Sequence, residues 1–163
     1  MVVLLCGQAL LHAQAAEPLQ ALAFLEGDWE GEGAGSPGEA KGGFSFRGEL
    51  ENHVLVRRNY AEYPATKDRP ASRHEDLMIV HPEADGKIAA QYFDNEGHVI
   101  RYRVSVSNHT ATFLSDAAAA APHYRLTYSM KGKDAVSIRF EIAPPGKPED
   151  FKVYLTAAAH KKR

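Results

Sequence analysis

Cysteine is almost absent from this 163-residue chain: there is one, Cys6, alongside one tryptophan and three methionines. A single cysteine forms no internal disulfide. Cys6 also lies in a stretch expected to be removed, so the mature protein has to be held by a packed core alone. An excess of one charge is missing too. Nineteen basic residues stand against 21 acidic ones, for a net charge of −2. That balance removes the electrostatic case for a nucleic-acid binder, which leans on a strong basic surplus. No apolar run approaches the ~20 residues of a membrane-spanning helix. There is no Gly-x-Ser-x-Gly, no Ser/His cluster and no reactive cysteine outside the leader, so no nucleophilic hydrolase signature is present. What remains is an ordinary globular composition, 44% hydrophobic and 25% charged, of a length that suits one domain around one core.

The first segment reads as a secretory signal peptide. Met1 to Ala16 carries no acidic residue, Lys or Arg. Val2-Val3-Leu4-Leu5-Cys6 and Ala9-Leu10-Leu11 form its apolar part, and Ala13-Gln14-Ala15 is a small-x-small cleavage pattern. The expectation is a leader over 1–15, a mature domain over 16–163, and a secreted or periplasmic location. A lipoprotein signal fits less well, because Leu4 and Leu5 precede Cys6 where small residues are wanted. A buried N-terminal helix is the structural alternative.

After the leader, Pro18 to Leu25 has a helical face of Leu19, Leu22, Ala23 and Leu25, with Pro18 acceptable in a first turn. From Asp28 the period changes to two. Strands are expected over Trp29–Gly33, Phe44–Glu51, Val54–Tyr63, Leu77–Val80, Ile88–Phe93, His98–Val106, Thr110–Leu114, Tyr124–Met130, Val136–Ile142 and Phe151–Ala159. Asp85-Gly86, Asp94 to Gly97, Ser107-Asn108 and Pro144-Pro145-Gly146 supply the turns. Ala117 to Ala121 reads as a loop. About ten strands with no helix between them pair most economically as antiparallel neighbours. Curling closed hides their edges. The predicted fold is all-β: a single antiparallel up-and-down barrel capped by a short N-terminal helix, with a two-sheet sandwich as the alternative. Such a barrel is wider than side chains alone fill, which predicts a ligand cavity.

The stretch Phe24-Leu25-Glu26-Gly27-Asp28-Trp29-Glu30-Gly31-Glu32-Gly33 resembles the opening of lipocalin-like (calycin) barrels. It is most similar to nitrobindin-like haem barrels, fatty-acid-binding-type barrels and uncharacterised secreted bacterial relatives. The resemblance implies that Trp29 packs at the barrel floor and that the glycines let the first strand bend. It also implies haem as an alternative cofactor, held by a histidine near the last strands, for which His123 and His160 are the candidates. Gly35-Ser36-Pro37-Gly38 departs from the nitrobindin pattern, keeping the proline without the tyrosine before it.

Other motifs are weak. Gly33-Ala34-Gly35-Ser36-Pro37-Gly38 matches a dinucleotide fingerprint in letters only, because no helix pattern follows the third glycine. His74 and Asp76 share a strand face, but two ligands are too few for a closed zinc site, and a solvated strand end is the plainer reading. Glu49 and Glu51 carry no further signal. Asn108-His109-Thr110 is a glycosylation sequon, and the tail His160-Lys161-Lys162-Arg163 is a short basic end. Arg58 and Tyr60 fall on one strand face with Val54 and Val56. If the valines face the cavity, so does a guanidinium able to hold a carboxylate. Leu55, equally apolar, marks the opposite face.

The resulting expectation is an exported protein that binds a small apolar ligand, a carboxylate among the options, lined by Trp29, Arg58, Tyr60, Tyr92, Tyr102 and Tyr128. No resident cofactor, metal or catalytic residue is assigned, and neither nucleic acid nor a stable membrane span is expected. A haem protein, a cavity enzyme and a filled interaction barrel are the competing classes. Expression in a Gram-negative host with N-terminal sequencing of the periplasmic fraction should give Ala16 as the first residue. A full-length cytoplasmic product would overturn export.

Overall fold

The computed structural model describes residues 17–163; the proposed leader and Cys6 lie outside them. The predicted N-terminal helix is split into a turn of α-helix, α1 (Glu17–Gln20), and a 3-10 turn at Ala23–Leu25. Ten strands follow: β1 (Gly27–Gly35), β2 (Ala40–Glu49), β3 (Val54–Tyr63), β4 (Ser72–Pro82), β5 (Ile88–Asp94), β6 (Val99–Ser107), β7 (Thr110–Ser115), β8 (His123–Met130), β9 (Ala135–Ala143) and β10 (Lys152–Lys161). Each pairs antiparallel with its neighbour in sequence, and β1 pairs β10 to close the barrel. The period-two pattern is realised as inward and outward faces. Turn chemistry agrees as well: Gly86 and Gly97 take φ values of +79° and +90°, and the β6–β7 hairpin turns on Asn108 and His109 at +49° and +54°.

One end of the barrel is solid. Leu19, Leu22 and Leu25 from the N-terminal turns are buried there. Trp29 is also buried, and its indole N–H donates to the Leu25 carbonyl at 2.8 Å, which ties the plug to the first strand. Its ring stacks on Phe44 with centroids 5.7 Å apart. Phe46, Phe113 and Tyr128 continue the cluster through edge-on contacts. This is the floor that the family resemblance implied for Trp29.

Beyond that floor the inward side chains shrink on one side. β1 offers Gly31 and Gly33, β2 offers Ala40 and Gly42, and β10 offers Ala157 and Ala159. Gly31 is required by the closeness of the seam. A Cβ there would lie 2.0 Å from the Ala158 carbonyl oxygen of β10. Gly31→Ala should therefore cost about 1–3 kcal/mol, as overpacking does, measurable as a lower urea midpoint. An unchanged midpoint would mean that the β1–β10 seam is looser than described.

Candidate functional site

The small residues on β1, β2 and β10 face a wall of Ile100, Tyr124, Leu126, Ile138, Phe140 and Ile142, and the gap between them is a cavity of about 530 Å³. It opens at the end opposite the helical plug, among the β1–β2, β3–β4 and β5–β6 connections. Tyr124 and Phe140 stack at 5.9 Å, and Tyr154 meets Phe140 edge-on, which makes this wall a flat aromatic surface. Tyr154 and Leu155 both reach the cavity because β10 carries a register shift between Val153 and Leu155. The bulge also turns Val153 out to solvent.

The third wall is polar. Its deepest member is Arg57, which is buried and ion-pairs through Nη1 with the Asp76 carboxylate. Side-chain exposures of 6% and 3% leave the pair almost no water. Asn59, directly across from Asp76 in the β3–β4 register, donates its amide to the other carboxylate oxygen at 2.8 Å. His74 Nε2 faces that same oxygen at 3.3 Å and the Tyr92 hydroxyl at 3.2 Å, while Nδ1 faces Glu96 at 3.0 Å. Tyr92 donates to Asp94 at 3.2 Å, and Asp94 is held in turn by His98 at 2.8 Å. A hydrogen-bonded chain thus runs from the mouth at Glu96 and His98 to the floor at Arg57.

Asp76 and Asp94 sit opposite each other across β4 and β5, a pairing that like charges disfavour. Each is compensated. Burial pushes the Asp76 carboxyl up, but the Arg57 charge and the His74 and Asn59 hydrogen bonds outweigh it and hold the group below the usual carboxylate range. Burial likewise raises Asp94, and hydrogen bonds from the His98 backbone and ring and the Glu96 backbone outweigh it. The hydrogen bond to Asp76 raises His74 against the opposing effect of burial, with Glu96 adding to the rise. When protonated, the ring donates from both nitrogens, which matches the acceptors on either side. Burial pushes the Tyr128 hydroxyl up to about 12, and Tyr92 and Tyr102 rise further, so all three are neutral phenols.

The inward face of β3 is Leu55, Arg57 and Asn59, the reverse of the face expected for Val54, Val56, Arg58 and Tyr60. Arg58 is exposed on the outer surface. Tyr60 packs outside the sheet under Arg73, whose guanidinium lies 4.5 Å from the ring centroid. The physical reason is that Leu55 is buried against the core while Val54 and Val56 are only half-buried, so a one-residue change of face exchanges one arginine for its neighbour. Tyr92 and Tyr102 do line the cavity. Trp29 and Tyr128 belong to the solid floor instead, with the Arg57 guanidinium 5.8 Å from the Tyr128 ring.

His123 lies on the outside of the barrel wall. Its ring nitrogens face the Pro148 and Ser115 carbonyl oxygens at 2.8 and 2.7 Å, and Phe151 covers it. His160 is exposed on the outer face of β10. Neither histidine reaches the cavity, so haem held through either does not fit this geometry. Among the described residues, no group of three or more His, Cys, Asp or Glu side chains could hold a metal ion.

No family model matches the chain, and no curated protein matches it. Solved structures do. Rv2717c from M. tuberculosis is 20% identical over 91% of this chain and 99% of its own, with a TM-score of 0.64. A de novo designed fluorescence-activating β-barrel is 12% identical over 87% of this chain and 97% of its own, with a TM-score of 0.45. At these identities the likeness to Rv2717c shows a shared barrel fold.

Two outcomes test the polar wall. Two unit charges in contact are worth about 4 kcal/mol at an effective dielectric near 20. That is close to their cost of burial, so the pair itself adds little net stability. Arg57→Met alone should destabilise by about 3–5 kcal/mol by stranding Asp76, and Arg57→Met with Asp76→Leu should recover most of that loss in chemical denaturation. Equal losses in both would mean that the two groups are not coupled. His74, raised in the folded state, stabilises fully below its unfolded pKa, and that contribution is lost as pH rises through the folded value. Asp76, lowered, contributes above its unfolded pKa and loses that contribution as pH falls through the folded one. Unfolding free energy should therefore fall from mildly acidic to alkaline pH, and His74→Gln should flatten that slope. An identical slope in the variant would exclude His74 as its source.

Proposed function

We propose that this protein is a small-molecule carrier or receptor that holds a largely apolar ligand inside the barrel. The observation that carries the reading is the amphipathic cavity of about 530 Å³, open at one end, apolar and aromatic on one wall and hydrogen-bonding on another. Cavities of this size with a few convergent polar groups are the usual form of small-ligand sites. Burial of the ligand body supplies the affinity, and the polar wall orients it.

A carboxylate ligand on Arg58 gains no support, since Arg58 points outward. The haem alternative draws none from His123 or His160. A cavity enzyme would use the His74–Asp76–Tyr92 cluster for proton transfer. Export is part of the proposal and rests on the leader sequence alone. Among the described residues no helix is long and apolar enough to cross a membrane.

Native mass spectrometry of the mature protein should show a co-purified small molecule. Titration with two fluorescent apolar probes, Nile red and 8-anilinonaphthalene-1-sulfonate, should show saturable uptake of at least one. Ile142→Trp, which fills the cavity from its apolar wall, should weaken uptake about tenfold or more while the protein stays folded. A bare mass with no probe uptake would overturn the carrier reading.

A further inference from the structure

Resting on the carrier reading, we infer that the ligand enters with a neutral, hydrogen-bond-accepting oxygen at its buried end, a carbonyl or ether rather than a carboxylate. Arg57 gives its hydrogen bond from Nη1 to Asp76, while its Nε–H and the hydroxyl of Tyr128, whose ring lies 5.8 Å from the guanidinium, are both buried and have no partner. A guanidinium carries five N–H donors. An uncommitted donor on a residue that lines the cavity floor calls for an acceptor.

The charge of that donor is already spent. Asp76 neutralises Arg57, and His74 is matched by Asp76 and Glu96. His98 at the rim is matched by Asp94, whose carboxylate also faces inward. A second anion brought to the floor would find Arg57 occupied and two carboxylates nearby, both held ionised by their partners. A neutral oxygen accepts from Arg57 without meeting that repulsion. The opposing wall of Tyr124 and Phe140, stacked nearly parallel at 9°, suits a planar body behind the oxygen.

Arg69 is the competing anchor. It lines the rim, its Nε–H is likewise buried without a partner, it has no carboxylate partner among the described residues, and it lies over the Tyr63 ring at 5.7 Å. An anion held there would place its charge at the mouth and reverse the ligand.

The two probes separate these cases on the mature protein. Nile red is neutral, flat, and ends in a carbonyl whose hydrogen bonding shifts its emission to the red. The anilinonaphthalene sulfonate is an anion of comparable apolar character. The expected result is Nile red binding at least about tenfold tighter than the sulfonate, with red-shifted emission. In Arg57→Met with Asp76→Leu, which removes the donor without stranding a charge, Nile red should bind about tenfold more weakly and emit further to the blue. Tighter binding of the sulfonate, lost in Arg69→Met, would overturn the proposal while leaving the carrier reading standing. So would a folded double variant with unchanged Nile red affinity and emission. Should the double variant fail to fold, the wild-type preference between the probes still decides. Uptake of neither probe would overturn both readings.

Discussion

Arg57 brings a full positive charge into a space that water scarcely reaches, and the polar half of the barrel is arranged around that fact. The guanidinium requires a carboxylate, Asp76, which requires Asn59 and His74 to fill its remaining oxygen. His74 reaches out to Glu96, so the charge is tied step by step to the solvent edge. A half-finished network of this kind would be worse than an apolar lining. The bonds it does make fix the relative positions of β3, β4, β5 and the β5–β6 turn at the level of single hydrogen bonds.

The cavity depends on asymmetry of side-chain size. Aromatic residues fill the end nearest the plug, where Trp29, Phe44, Phe46, Phe113 and Tyr128 interlock. Towards the mouth, glycine and alanine on β1, β2 and β10 face isoleucine and aromatic side chains on β8 and β9, and the two sets do not meet across the barrel. The same small residues let the backbones of β1 and β10 approach closely enough to seal the cylinder. One run of small side chains thus serves both closure and volume.

Strand periodicity makes most of this architecture legible in the sequence. Val54 to Tyr63 is a strand with the same bounds by alternation and in the fold, and the turns at Gly86, Gly97 and Asn108 fall where the residues call for them. Alternation does not say which face is inside when both are apolar, and adjacent arginines make the error consequential: the pattern puts Arg58 at the site that Arg57 occupies. β4 begins at Ser72, five residues before the apolar run that announces it. Its first half presents His74 and Asp76 inward, and an inward polar strand looks like a solvated one when read alone. The available signal is joint. Asn59 follows Arg57 at a spacing of two, as Asp76 follows His74, so two neighbouring strands each have a polar face to offer the other. Tyr154 escapes the pattern because a bulge breaks the alternation that would have placed it.

The seam between β1 and β10 joins the first strand to the last. Every other pairing links neighbours in sequence and can form locally as the polypeptide emerges, at small cost in loop entropy. The closing pairing spans nearly the whole domain and cannot form until the last strand has been synthesised. Until then the nine-strand sheet is an open, curled ribbon with two unsatisfied edges and no enclosed volume. The cavity is therefore enclosed in one step with the final strand, and a nascent or truncated chain ending short of Lys152 exposes sticky edges instead of an enclosed volume.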